Sequence, residues 1–412
     1  MYEKYKHLLK TDSTERQNET YQTCKARYGG IVLSLDGIQP AKGNEPLYVL
    51  REVLCGKVIA SISMKNGSSK ELKEALEPYV NTDVPILGFV RDRQRSIRKA
   101  LKELRSDVPY QFCQFHYLKD ISKPMIASDR KLKTTIKKNL RGLQAIEVSF
   151  KQNEQLEEKE KEIINGYCEA IRSILLEDGK PSLELPGMKI YERLEELKKS
   201  FEHSLRMVEQ KKRLSVYLKT FPTMINRRNH KRSYHKVQEM YEIIRDIVKS
   251  LEKTSFSTSQ SHEEALKSLL IKAFQEKGQK HGMKGFMENL KWYSKGFWEG
   301  LFTYYDNPEI PKTNNDLERS FHLAKQDYRR IAGNDDWGRY IQYQGEKVMF
   351  IYNYTNRRDD MIKKFTEIGK LTYRSISQDY LNKNSDQTSR YRYNRNSALY
   401  LSMLEDMCAD MW

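Results

Sequence analysis

Four short passages of this 412-residue chain carry side chains whose type and placement suit chemistry. Asp36 closes the apolar run Ile31-Val-Leu-Ser-Leu35 and is followed by Gly37, while Asp92 follows the run Val84-Pro-Ile-Leu-Gly-Phe-Val90. Glu318 stands in the first turn of a helical pattern that begins at Leu317, and Cys113 precedes His116 by three positions. Carboxylates delivered at the ends of separate elements are hard oxygen donors, the kind that Mg²⁺ or Mn²⁺ takes in preference to sulfur. Each residue also has a plainer reading. An Asp before Gly starts a turn, and an Asp ahead of a helix caps it. Asp316, two positions before Glu318, serves either as a cap or as the ligand in its place. Cys113 and His116 have the spacing of half a zinc site, but no second CxxC or HxxH pair accompanies them, and a structural pairing is the other reading.

Groups of this kind need a framework. Apolar runs at residues 31–35, 47–54, 57–63, 84–90 and 110–115 read as strands, with Cys55-Gly56 as a two-residue hairpin turn. Helical periodicity at 69–79 and 94–105, and again from His116, gives the order βββαβαβα. From about 123 to 309 the strand patterns vanish and the text becomes helix-rich and charged, with 255–261 as a linker between two sub-bundles. The turn-forming passage 306–316 precedes the helix that carries Glu318. Trp292 and Trp298, inside the helical block, read as core anchors, with a wedge against an unpaired base as the alternative.

The charge balance names a class of partner. Lys and Arg number 73 against 56 acids, a net +17 with a pI of about 9.3, which favours a polyanion. Residues 205–250 hold twelve cations against four acids, and 357–398 hold ten against five, with Tyr373, Tyr380, Tyr391 and Tyr393 interleaved. Cations among aromatic rings suit nucleic acid, although a solvated helix face and a soluble tail have the same composition. No apolar stretch approaches the roughly 20 residues of a spanning helix, and the start lacks a signal core. Five scattered cysteines point to reduced thiols, and the cytosol is the expected compartment.

Taken together, Ser34-Leu-Asp-Gly-Ile-Gln39, Gly88-Phe-Val-Arg-Asp-Arg-Gln94, Cys113-Gln-Phe-His116 and Thr313-Asn-Asn-Asp-Leu-Glu-Arg319 resemble the DDE transposases with a helical insertion, a group that includes Mutator-like and related bacterial insertion-sequence families. The resemblance covers most of the chain. It implies an RNase H-like α/β fold: an N-terminal segment (1–28), the first part of the catalytic domain (29–123), an all-helical insertion (124–309), the completion carrying the Glu (310–356) and a basic tail (357–412). It implies Asp36, Asp92 and Glu318 as the catalytic metal ligands, with Asp36 bridging two Mg²⁺ or Mn²⁺ ions, and Cys113/His116 as the family's CxxH signature. The implied activity is hydrolysis at element ends followed by attack of the freed 3′-hydroxyl on target DNA. The implied partners are double-stranded DNA and a second copy of the chain in a homodimer. Lys325, Arg329 and Arg330, after the Glu, and Arg227, Arg228, Lys231 and Arg232, in the insertion, are the candidate DNA-backbone contacts.

Two departures from the family pattern stand out. Arg93 follows Asp92 where Gly is frequent, and only about thirty residues precede the first strand, too few for a helix-turn-helix domain. End recognition then falls to the insertion and tail or to a separate chain, unless the chain is a truncated remnant. The rival readings are a transposase-derived DNA-binding protein, a nuclease that never joins, and a tyrosine recombinase suggested by His203-Ser-Leu-Arg206 and Tyr241.

Overall fold

The computed structural model describes residues 2–39, 45–179, 184–208, 212–225, 228–254, 258–278, 280, 282–333, 337–354, 367–378, 392–393 and 395–409. Its elements in chain order are α1 (Tyr2–Glu15), α2 (Gln17–Tyr28), β1 (Ile31–Ile38), β2 (Leu47–Glu52), β3 (Lys57–Ser63), α3 (Ser69–Val80), β4 (Ile86–Arg91), α4 (Arg95–Leu104) and β5 (Tyr110–Phe112). Then come α5 (Gln114–Asn139), α6 (Leu143–Gln152), α7 (Glu158–Leu175), α8 (Pro186–Met207), α9 (Lys212–Ile225), α10 (Arg228–Ser250), α11 (Ser259–Lys277) and α12 (Lys284–Phe297). The short α13 (Thr303–Asp306) leads to α14 (Asn315–Ala332) and α15 (Trp337–Val348), and a further helix covers Ser397–Ala409. The chain is α/β and mostly helical. It divides into two compact units, one made of residues 1–115 and 303–412, the other of 116–302.

The first unit is built on a five-stranded mixed sheet in the order β3-β2-β1-β4-β5. β1 to β3 form an antiparallel meander, and β4 and β5 run parallel to β1. Ile31-Val-Leu-Ser-Leu35 is continuously apolar save for one serine because the central strand is covered on both sides. Ile31, Leu33 and Leu35 pack with Leu72, Leu76, Ile97 and Leu101 of α3 and α4. On β2 the faces alternate, with Tyr48 and Leu50 joining that core and Leu47 and Val49 packing with Leu9, Leu317, Ile341 and Phe350. Ser34 and Asp36 therefore stand on the face of β1 opposite α3 and α4.

Gly88 of β4 is a packing requirement, since a Cβ there would lie 2.3 Å from the tip of Ile310. The β2–β3 connection is not the two-residue turn expected from Cys55-Gly56. Glu52 pairs with Lys57, so Val53–Gly56 form a four-residue turn, with Gly56 at φ 70°. The buried Glu52 carboxylate shapes this turn by accepting the N–H groups of Val32 (3.2 Å), Leu54 (3.1 Å) and Cys55 (2.6 Å). Cys55 and Cys24 of α2 bring their sulfurs together beside that carboxylate, a pairing that five scattered cysteines do not announce.

The second unit is helical throughout its described residues, with a core that includes Ile136, Ile164, Ile190, Phe201 and Phe221; the last two rings stack 4.9 Å apart. Within it α10 ends at Ser250, and α11 is capped by Thr258, whose side chain accepts the Ser261 N–H. Trp298 donates to Glu263 at 2.8 Å. Trp292 is 59 % exposed on α12, against the core role expected of it. The apolar positions of that helix (Phe286, Met287, Leu290, Phe297) lie on its other side and satisfy the core without it. No helix among the described residues is long and apolar enough to cross a membrane.

Candidate active site

Asp36 lies within β1, 4 % exposed, and both its oxygens have donors. Oδ1 accepts the Gly37 N–H at 2.8 Å, and Oδ2 accepts the Asn314 side-chain amide at 3.1 Å. Asn314 immediately precedes α14, and the same side chain accepts a hydrogen bond from Ser34 Oγ. Ser34 and Asp36 are two residues apart on one strand face, so a single amide spans both. The Asn314 carbonyl receives the N–H groups of Leu317 (3.1 Å) and Glu318 (3.2 Å), which sets the first turn of α14 against β1.

Glu318 is half-buried, and one of its carboxylate oxygens lies within 4.8 Å of one from Asp36. Asp316 is exposed and contributes to the electrostatic surroundings of Arg51, whose guanidinium also donates to Ser320 Oγ at 3.2 Å. Burial lowers the pKa of Arg51, and the negative charge of Asp316 works against that shift. The sequence leaves Asp316 and Glu318 as alternatives, and the fold brings Glu318 to Asp36.

Asp92 follows the last residue of β4. Arg91 is the register partner of Leu35, so Asp92 continues the strand neighbouring Asp36. Its Oδ1 accepts the Gln94 N–H at 2.9 Å in an Asx turn ahead of α4, whose cap position is Gln94 rather than Asp92, and the Gln94 side chain reaches the Tyr48 hydroxyl on β2. Among the described residues, Asp92 is absent from the set of ligand atoms within 4.8 Å of one another that holds Asp36 and Glu318. Arg91 is fully buried, its guanidinium 4.5 Å from the centre of the Tyr110 ring and 4.6 Å from that of Phe112.

Cys113 is buried, and its sulfur accepts the Asn314 backbone N–H at 3.3 Å. The preceding segment is fastened along β5: Thr303 donates to the Tyr110 carbonyl at 2.7 Å, the Tyr304 N–H to Gln111 at 2.9 Å, and the Gln114 N–H to the Lys312 carbonyl at 3.0 Å. His116 is half-buried in the first turn of α5. Asn314 is the residue that sequence reasoning missed. The available signal was an Asn in the turn-forming passage, three residues ahead of the helical pattern from Leu317, a place normally explained by turns and capping.

Of the candidate DNA contacts, Arg329 and Arg330 are exposed and Lys325 half-buried on α14, while Lys231 and Arg232 are exposed on α10. Arg228 begins α10, and Arg227 lies outside the described residues, as do Tyr380 and Tyr391.

Residues 203–326 match the model of the Transposase IS66 family. That stretch is less than a third of the chain. It includes Asn314, Glu318, Lys325 and the basic start of α10, but stops short of Asp36, Asp92 and Cys113. No curated protein matches the chain. The family match supports a transposase function.

Proposed function

We propose that the chain is a DDE-type DNA transposase, with an RNase H-like catalytic domain split by the helical insertion. The observation that carries this reading is the approach of Asp36 and Glu318 to within 4.8 Å, although one lies on the central strand and the other on a helix reached only after residues 116–302. The sheet order β3-β2-β1-β4-β5, with acids at the two central strands, supports the same reading, as does the family match over Glu318.

The carboxylate pair suits a hard cation. Asp36 and Glu318 offer carboxylate oxygens on one side of the sheet, and the nearby sulfur of Cys113 faces the Asn314 amide. Asp36, Asp92 and Glu318 would hold two Mg²⁺ or Mn²⁺ ions. When bound, such ions supply an activated water and stabilise the leaving 3′-oxygen. The protein's own part is to fix the carboxylates. Gly37 and Asn314 hold Asp36 in one orientation, the first turn of α14 holds Glu318, and the Gln94 amide holds Asp92. In this reading hydrolysis at an element end frees a 3′-hydroxyl, which then attacks a phosphodiester of target DNA. Lys231, Arg232, Arg329 and Arg330 would track the DNA backbone, and paired element ends call for a homodimer.

The test uses DNA that carries the sequences flanking the gene. Wild-type protein should cut it in the presence of Mg²⁺, and Asp36→Asn should abolish cutting while keeping salt-sensitive binding. Cutting by Asp36→Asn at the wild-type rate would refute the assignment, and loss of binding would make Asp36 a structural residue.

A further inference from the structure

Asn314 occupies the position ahead of a helix where an Asn side chain ordinarily accepts an N–H from the helix's own first turn. Here it makes no such bond. The side chain turns instead to β1, accepting from Ser34 and donating to Asp36, and the residue is 3 % exposed. Its backbone N–H goes to the Cys113 sulfur and its carbonyl takes the N–H of Glu318. One residue thus touches the Asp36 carboxylate with its side chain and the Glu318 backbone with its main chain, while a third segment anchors it from behind.

From this we infer that Asn314 is the positioning residue that sets the spacing between Asp36 and Glu318, with Cys113 as the anchor of its backbone. The inference rests on the reading of those two acids as a metal-binding pair, which the test separates from it. Both polar ends of the Asn side chain are needed. A carboxylate of the same shape would set a second negative charge against Asp36, and a hydroxyl is too short to span Ser34 and Asp36. Sulfur is a weak acceptor, but the buried amide of Asn314 has it as partner. A serine oxygen at position 113 keeps an acceptor there, whereas alanine removes it.

The experiment compares wild type with Asn314→Ala, Asn314→Asp, Cys113→Ser and Cys113→Ala by Mn²⁺ titration followed by electron paramagnetic resonance, with thermal melting of the metal-free proteins alongside. Both Asn314 variants should bind Mn²⁺ about 10- to 100-fold more weakly, the loss typical when a partner of a metal ligand is removed. They should do so while still melting cooperatively as folded proteins. Cys113→Ser should stay within about threefold of wild type and Cys113→Ala should fall below it. Wild-type Mn²⁺ affinity in Asn314→Ala would overturn the inference. If Asn314→Ala does not fold, Asn314→Asp decides by the same criterion. If wild type binds no Mn²⁺ through Asp36 and Glu318, the metal reading fails by itself. A crystal structure of the metal-free Asn314 variant then decides the positioning claim: carboxylate oxygens still within 4.8 Å overturn it, and their separation upholds it.

Discussion

A carboxylate oxygen of Asp36, on the central strand, lies within 4.8 Å of one from Glu318, on a helix that the chain reaches only after the whole second unit. Like charges so close in a half-buried site repel, and a folded chain keeps such a pair where a cation or a proton offsets the repulsion. The proposed function assigns a divalent cation. Asp36→Asn and Glu318→Gln should each reduce Mg²⁺-dependent DNA cleavage by at least about 100-fold, measured under single-turnover conditions. Asp92→Asn should do the same, with melting temperatures that stay close to wild type in all three.

Glu318 and Asp316 can be told apart. Asp316 is exposed and set towards Arg51, so Asp316→Asn should lower cleavage by no more than about tenfold, far less than Glu318→Gln. Equal losses in the two variants would mean that the first turn of α14 presents both acids to the reaction.

Binding should be carried by cations other than any held at the carboxylates, on the basic start of α10. Replacing Lys231 and Arg232 by alanine should weaken DNA binding uniformly across sequences. The slope of log affinity against log salt should become shallower by about 1 for each phosphate that is no longer neutralised. An unchanged slope would remove these two residues from the interface.

Glu52 gives a pH test independent of function. Burial pushes its carboxyl above the ordinary range, and the three backbone N–H groups only partly oppose this. A group with a raised pKa binds its proton more tightly in the folded state. Folding therefore gains stability as pH falls from the raised value towards the ordinary value of 4.5. Wild type should gain stability relative to Glu52→Gln over that window in paired denaturant titrations. A relative loss on acidification would show that the N–H groups outweigh burial.

The sheet core offers a further check. Gly88→Ala would drive a methyl group into Ile310, and overpacking of this kind costs about 1–3 kcal/mol. Trimming the neighbour in Gly88→Ala/Ile310→Val should recover part of that loss.

Much of the sheet was legible because its strands are short apolar runs, and β1, β3 and β4 fall where those runs stand, while β5 stops at Phe112 and α5 begins at Gln114, ahead of His116. What local pattern misses is set by distant partners. The β2–β3 turn is two residues longer than Cys55-Gly56 suggests, because the buried Glu52 gathers the turn's N–H groups. The sulfurs of Cys24 and Cys55 meet where α2 lies against that turn, a pairing that an odd, scattered cysteine count cannot reveal. Trp292 reads as core by residue type and is exposed by its angular position on α12. Asp36, Asp92 and Glu318 are singled out as a set by the resemblance of their motifs, since each place alone also suits a turn or a cap, and Asp36 lies inside β1 rather than at its end. That Glu318 rather than Asp316 stands near Asp36, and that Asn314 touches Asp36, depend on where α14 meets β1, and no spacing in the sequence encodes that.

The most direct measurement is an anomalous difference map from crystals of the protein soaked in Mn²⁺. The proposed site predicts peaks coordinated by Asp36 and Glu318, with Asp92 completing the set. Peaks only elsewhere, or none at Asp36, would contradict it.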